Sequence, residues 1–480
     1  MYKHLFFDDK YLFKKENVKR EYGQVELIDD AIYLDKDVNT VWGCSWYFKL
    51  DDGRVRVVYF GKNIHIDNYG VYVAISDDGI HFQPEDVSNE DFGEKFPLNH
   101  QIMNMNSGEI ACIIEDKACK DKNERYKMLF SNVIGGEGYL ISGELFVSSD
   151  LLHWEKVENV EWCNDGEPIT GLFYNEKKGC FTITRRNAWG VRLVGYSETK
   201  DWKEYSPFKM CLQADSLDGD LEEIYGMPAF AYENWFIGFP LIYGDLRGCM
   251  SSKYDYGTMK AQLSYSQDGE FWCRSLREPF ISGVKVDKTA KDICYAKCVY
   301  PSGMMVTDEN VFVYGCASLL EHGECFSAEG LNGRIFIYKL RKDGFIKLKT
   351  ADKDKESIVA TRENIWHGGE VSINLKAKKA TMAVYETAST KDKPYNPLGI
   401  ATPLAGYSHE DCNCFDGNNL NWIPTFKTGK TLDELKGKTI VFEIKFYDGE
   451  IYSIFGEMTP VFNVPAERYR LSGKVPEQIL

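Results

Sequence analysis

The sequence lacks any unbroken apolar run of about 18 residues, so it holds no helix apolar and long enough to cross a bilayer. Positive charge is also short: 57 Lys and Arg stand against 73 Asp and Glu, a formal charge of −16. That balance repels phosphate backbones and anionic lipid surfaces and makes nucleic acid and membrane unfavourable partners. Histidine is scarce, with eight in 480 residues and no close pair, which argues against histidine-based metal catalysis. The patterns GxSxG, GxxxxGKS or GxxxxGKT, and HExxH do not occur, which removes the commonest marks of serine hydrolases, phosphate-binding loops and zinc proteases. The opening MYKHLFFDDKYLF has neither the basic stretch nor the long apolar stretch of a secretory leader, so the expected location is the cytoplasm. The 14 cysteines follow no regular spacing and read as small buried hydrophobes kept reduced. The close pair in Cys412-Asn413-Cys414 is spaced too tightly for a thiolate clamp, so neither a metal nor another cofactor is expected.

Helical periodicity is almost missing too, whereas short runs rich in Val, Ile, Tyr, Phe and Trp recur, closed by Asp-Gly, Asn or Gly turns. With 44% apolar and 14% aromatic residues the chain can build a sizeable core, and the expected class is all-β. One phrase repeats: a Ser, an acidic turn, then an aromatic. It reads Ser76-Asp77-Asp78-Gly79-Ile80-His81-Phe82, Ser148-Ser149-Asp150-Leu151-Leu152-His153-Trp154, Ser197-Glu198-Thr199-Lys200-Asp201-Trp202, and Ser266-Gln267-Asp268-Gly269-Glu270-Phe271-Trp272. A weaker version is Leu340-Arg341-Lys342-Asp343-Gly344-Phe345. Each copy follows a strand pattern and suits a hairpin between the outer strands of a sheet. Such spacing predicts a five-bladed β-propeller over 1–348, N-terminal segment included; a β-sandwich with coincidentally similar turns is the plainer alternative. After a charged stretch the strands resume without the phrase, which predicts a C-terminal β-sandwich over 349–480.

In a propeller, the residues that open each innermost strand line a shared axial pocket. Here those openings are acidic or polar: Asp35 and Asp37, then Asn104, Asn106 and Glu109, then Asp165 and Glu167, then Glu223. Convergent carboxylates are what glycoside cleavage requires, one to protonate the leaving oxygen and one to attack or to activate water. Each of them singly also fits an ordinary turn cap. Trp42, Trp189 and Tyr225 offer faces for a sugar ring, and Arg185 and Arg186 offer forks for hydroxyls; each could equally be blade packing. His367, before Gly368-Gly369, could reach a pocket rim or sit in a linker turn.

Taken together this resembles the five-bladed propeller glycosidases: the invertase, inulinase and levanase group with its appended β-sandwich, and the arabinanase and xylosidase group. The phrases Arg125-Tyr126-Lys127-Met128, Glu223-Ile224-Tyr225-Gly226-Met227-Pro228, Leu340 to Phe345 and Ile451-Tyr452-Ser453-Ile454-Phe455 are similar to those of a bacterial set related to the invertase group. The resemblance implies a nucleophile or base, an auxiliary carboxylate and a proton donor from the first three blades. By position these are Asp35 or Asp37, then Glu109, then Asp165 or Glu167, with Glu223 a rival donor. The signatures WMNDPNG and RDP do not occur as written, so fructoside specificity does not follow. The expected activity is hydrolysis of a terminal sugar, furanosidic in one version, from an oligosaccharide or other glycoside. A non-catalytic carbohydrate-binding propeller and a phosphate-dependent phosphorylase, motivated by Arg185, Arg186 and Arg192, are the alternatives; homo-oligomerisation is left open.

Overall fold

The computed structural model describes the chain except residues 67, 106–108, 135–139, 161–165, 188–189, 220–221, 245–256, 282–296, 323–330, 387–401 and 462–480. At 41–43, 109–111, 132–134, 140–142 and 166–170 it describes the main chain only. The described residues are all-β, with short 3-10 turns and no α-helix. They form two compact units, one of residues 1–24, 307–310 and 340–480, the other of residues 25–306 and 311–339. The first 24 residues therefore belong with the C-terminal stretch, whereas the sequence pattern had grouped them with the propeller.

The larger unit is a propeller-like ring of sheets. Strand Val38–Lys49 leads an antiparallel sheet with Val55–Asn63 and Asn68–Ser76. Glu109–Glu115 leads a second sheet with Tyr126–Ile134 and Leu140–Ser148, and Gly166–Asn175 leads a third with Cys180–Asn187 and Val194–Thr199. Next, each strand breaks in two near a proline or a turn. Glu223–Gly226 continues past Pro228 as Ala229–Tyr232, and Trp235–Gly238 continues past Pro240 as Leu241–Gly244. A proline donates no ladder hydrogen bond, so the pairing splits there into a three-stranded sheet and part of a seven-stranded one. Cys298–Val306, Asn310–Ser318 and Gly333–Arg341 complete the latter, together with Val25–Leu27 from the start of the unit. Early and late chain also meet at Asn39, whose side-chain oxygen accepts the main-chain N–H groups of Asn332 (3.0 Å) and Gly333 (2.8 Å).

The leading strands lie side by side: Cys298–Val306 against Val38–Lys49, that against Glu109–Glu115, then Gly166–Asn175, then Ala229–Tyr232. Glycine permits two of these approaches. A Cβ on Gly171 would stand 2.6 Å from the Ala229 nitrogen, and one on Gly303 would stand 2.4 Å from the Tyr47 ring.

The repeated phrase builds one turn four times. In three copies the Ser hydroxyl donates to the Asp two residues on: Ser76 to Asp78 (2.8 Å), Ser148 to Asp150 (3.1 Å), Ser266 to Asp268 (3.0 Å). The same Asp oxygen accepts two main-chain N–H groups, those of Leu152 and His153 in the second copy. In the third copy the structure moves the register by two residues. Thr199 takes the place of the Ser, Asp201 accepts from Lys203 and Glu204, and Tyr205 rather than Trp202 reaches back, its hydroxyl bonding the Trp202 carbonyl as the Trp154 indole bonds that of Leu151. Trp202 instead stands at the positive-φ position (62°) that Gly79, Leu151 and Gly269 hold elsewhere. The weaker fifth version lies in the other unit and makes a different contact: Asp343 accepts from Lys3 (3.0 Å) and Ser453 (2.6 Å).

The smaller unit is one ten-stranded sheet organised on Thr439–Gly456, an 18-residue strand that pairs with Ser372–Glu386 along most of its length. Register shifts interrupt that pairing three times, which lets so long a ribbon coil.

Candidate functional site

The first opening holds two carboxylates of opposite character. Asp35 is 2% exposed, and its side chain is engaged by four donors. One oxygen accepts the main-chain N–H of Asp37 (2.9 Å) and of Val38 (3.2 Å); the other accepts the Tyr59 hydroxyl and lies 2.9 Å from His100 Nε2. Burial alone would raise the Asp35 carboxyl, but the bonds from His100 and Tyr59 outweigh it and hold it below the ordinary carboxylate value. Burial, reinforced by nearby negative charge, pushes the Tyr33 and Tyr59 hydroxyls far up, so both keep their protons. Asp37, two residues on, turns outward: its side chain is 37% exposed and meets His65 Nε2 at 2.9 Å.

The next two openings place Glu109 as the first residue of its strand and Glu167 as the second of its own. Their side chains lie outside the described residues, but the register sets Glu109 opposite Ser131 and Glu167 opposite Arg186. The Ser131 hydroxyl is buried and finds no hydrogen-bond partner among the described residues. Glu223 opens its strand as well, and both its oxygens are engaged by Arg192, one by the guanidinium (2.7 Å) and one by the main-chain N–H (3.3 Å). A carboxylate so tied holds an arginine in place.

Around Glu223 an aromatic and cationic cluster forms. The Arg186 guanidinium carbon lies 4.4 Å from the centre of the Tyr225 ring, and that of Arg192 lies 5.0 Å from Tyr243. His322 packs edge-on against both tyrosines and its Nε2 is 3.0 Å from the Tyr225 hydroxyl. Arg185 does not join this group. Successive strand residues point to opposite faces, and Arg185 turns to the Ser197 hydroxyl (2.9 Å) and the Phe208 ring (5.2 Å).

The remaining candidates separate. Asn104, on the first sheet's strand Gln101–Met105, bonds Gln101 (2.9 Å) and Glu94 (3.1 Å) of the preceding loop. The Trp42 side chain, Asn106, Asp165 and Trp189 lie outside the described residues. His367 belongs to the smaller unit, where it bonds Thr459 (2.8 Å) in a turn between strands Asn364–Trp366 and Ser372–Glu386. Cys412 is buried and accepts from the Met382 N–H, whereas Cys414 is exposed. Tyr59, His65, His100, Tyr243 and His322 were missed. Each is an isolated residue whose partner is far along the chain, so no local spacing announced it.

No protein-family model matches the sequence, and no curated protein matches it. Among solved structures it is similar to a glycosyl hydrolase from Bacteroides ovatus (16% identity, TM-score 0.39, 66% of this chain and 94% of that one). It is similar as well to a β-1,2-mannobiose phosphorylase from Listeria innocua (11% identity, TM-score 0.42, 66% and 97%). A third match is an N-acetylgalactosamine deacetylase from F. plautii (13% identity, TM-score 0.43, 69% and 97%). At these scores the likenesses carry no argument about chemistry, and the site's own residues must carry it.

Proposed function

We propose that the chain cleaves the glycosidic bond of a terminal sugar in a short oligosaccharide. The carrying observation is positional: Asp37, Glu109 and Glu167 stand just before or at the start of three leading strands that lie side by side. Three carboxylates from neighbouring strand openings can supply the proton donor, the nucleophile or base, and an auxiliary charge that a glycosidic bond requires. Asp37 is proposed as the nucleophile or base, Glu109 as the auxiliary carboxylate and Glu167 as the proton donor. On this reading the ring has five blades, the broken strands forming the fourth and Val25–Leu27 closing the fifth. The smaller unit is an appended sandwich made by its long sheet folding over itself, and the enzyme works in the cytoplasm, with a furanoside as one form of its substrate.

A second reading has its own support. Arg186 and Arg192, with His322 beside them, gather about Tyr225 and Tyr243, and the two guanidinium groups suit an inorganic phosphate that would replace water in the cleavage. A screen of chromogenic pyranosides and furanosides, with and without inorganic phosphate, tests both. Free sugar released without phosphate supports hydrolysis, and a sugar phosphate formed only with it supports phosphorolysis. Binding of sugars without turnover under either condition would leave a carbohydrate-binding protein.

A further inference from the structure

We infer that Asp35 is a positioning residue whose buried carboxylate fixes the turn that presents Asp37 at the mouth of strand Val38–Lys49. The inference rests on the proposed role of Asp37 and assigns Asp35 a different one.

Two observations separate these neighbours. The Asp35 side chain is 1% exposed and engaged on both oxygens, so it has neither access to a substrate nor a free lone-pair direction of good geometry. Asp37 is half-exposed and meets only His65 among the described side chains. A turn cap needs just one oxygen, and an Asn or Ser would provide it without burying charge, which is costly unless fully paired. The second Asp35 oxygen explains the charge. It gathers His100, from the segment before strand Gln101–Met105, and Tyr59, from strand Val55–Asn63, so two separate stretches of the first sheet converge on the turn that carries Asp37. The Tyr33 hydroxyl, 3.3 Å from that of Tyr59, extends the network.

The test compares Asp35→Asn, Asp35→Ala and Asp37→Ala in the full chain, on the glycoside found by the screen. Asp37→Ala should lose turnover at least about a thousandfold, and added azide or formate should restore part of it by taking the place of the missing carboxylate. Asp35→Asn keeps an acceptor for the two amides, and should lower kcat by about tenfold with KM changed less than about twofold. Asp35→Ala should lose more, and neither Asp35 variant should respond to azide or formate. Amide hydrogen exchange supplies a readout independent of activity: exchange at Asp37 and Val38 should quicken by about tenfold or more in Asp35→Ala and stay unchanged in Asp37→Ala. Rescue of an Asp35 variant by azide, or wild-type exchange at both amides in Asp35→Ala, would overturn the inference. If Asp35→Ala does not fold, Asp35→Asn decides: turnover as low as in Asp37→Ala with unchanged exchange would make Asp35 the reacting group. If the wild type cleaves no glycoside, the reading of Asp37 falls, and exchange alone still decides whether Asp35 fixes the turn.

Discussion

Gly171 and Ala229 bring two neighbouring sheets so close that a side chain on the first would stand 2.6 Å from the main-chain nitrogen of the second. The contact is backened by main chain, which cannot swing aside, and the same point lies 2.4 Å from the Thr184 hydroxyl, itself bonded to the Met227 carbonyl at 2.6 Å. Gly171→Ala should therefore cost about 1–3 kcal/mol through overpacking, read as a lowered urea midpoint with an unchanged m-value.

Asp150 closes its turn by accepting from the Ser148 hydroxyl and from the Leu152 and His153 amides, with His153 Nδ1 on its other oxygen at 2.8 Å. Asp150→Ala leaves two main-chain donors without their partner and should cost about 1–2 kcal/mol. Asp150→Asn, which keeps one acceptor oxygen, should recover most of it in the same unfolding assay.

His4 makes the smaller unit sensitive to acid. Burial pushes its imidazole down from 6.5 to about 4, against the opposing bond to Asn364. The folded state stays neutral while the unfolded state takes up a proton, so the stabilising contribution is complete above about pH 6.5 and is lost as pH falls toward about 4. The loss should approach about 3 kcal/mol across that window. Denaturant midpoints at pH 7 and pH 4.5 should differ less in His4→Gln than in the wild type.

Arg186 over Tyr225 predicts a division of labour. Arg186→Lys keeps the charge but loses the flat stacked fork, and should lower kcat/KM by about tenfold. Tyr225→Phe keeps the ring and removes the hydroxyl that bonds His322, and should change kcat/KM by less than about threefold. Equal effects in the two variants would mean that the hydroxyl, and not the stacked guanidinium, matters to the site.

What the sequence revealed follows from the range of the interactions involved. The repeated turns were legible because their bonds span two or three residues, Ser to Asp and Asp to the next amides. Even so, the third copy was read two residues early, because Thr199 replaces the Ser and the aromatic Trp202 occupies the glycine position. The strand openings were legible because polar residues precede apolar runs. The contrast between Asp35 and Asp37 was not, since it depends on His100, 65 residues away, and on Tyr59, 24 away. Arg185 and Arg186 were read together as forks for hydroxyls, although strand alternation sends them to opposite faces. The membership of residues 1–24 in the smaller unit was hidden as well: strands such as Tyr2–Leu5 look like any other strand until they pair with Thr439–Gly456.

The central claim is that carboxylates at neighbouring strand openings break a glycosidic bond, and Glu167 is the position to question first. The measurement is release of the leaving group from the best chromogenic glycoside by wild type and by Glu167→Gln, at matched folding stability. The account predicts turnover by the wild type and a loss of at least about a hundredfold in Glu167→Gln, smaller for glycosides whose leaving group needs no proton. Equal turnover by the two proteins, or sugar binding by the wild type with no cleavage of any glycoside, would contradict it.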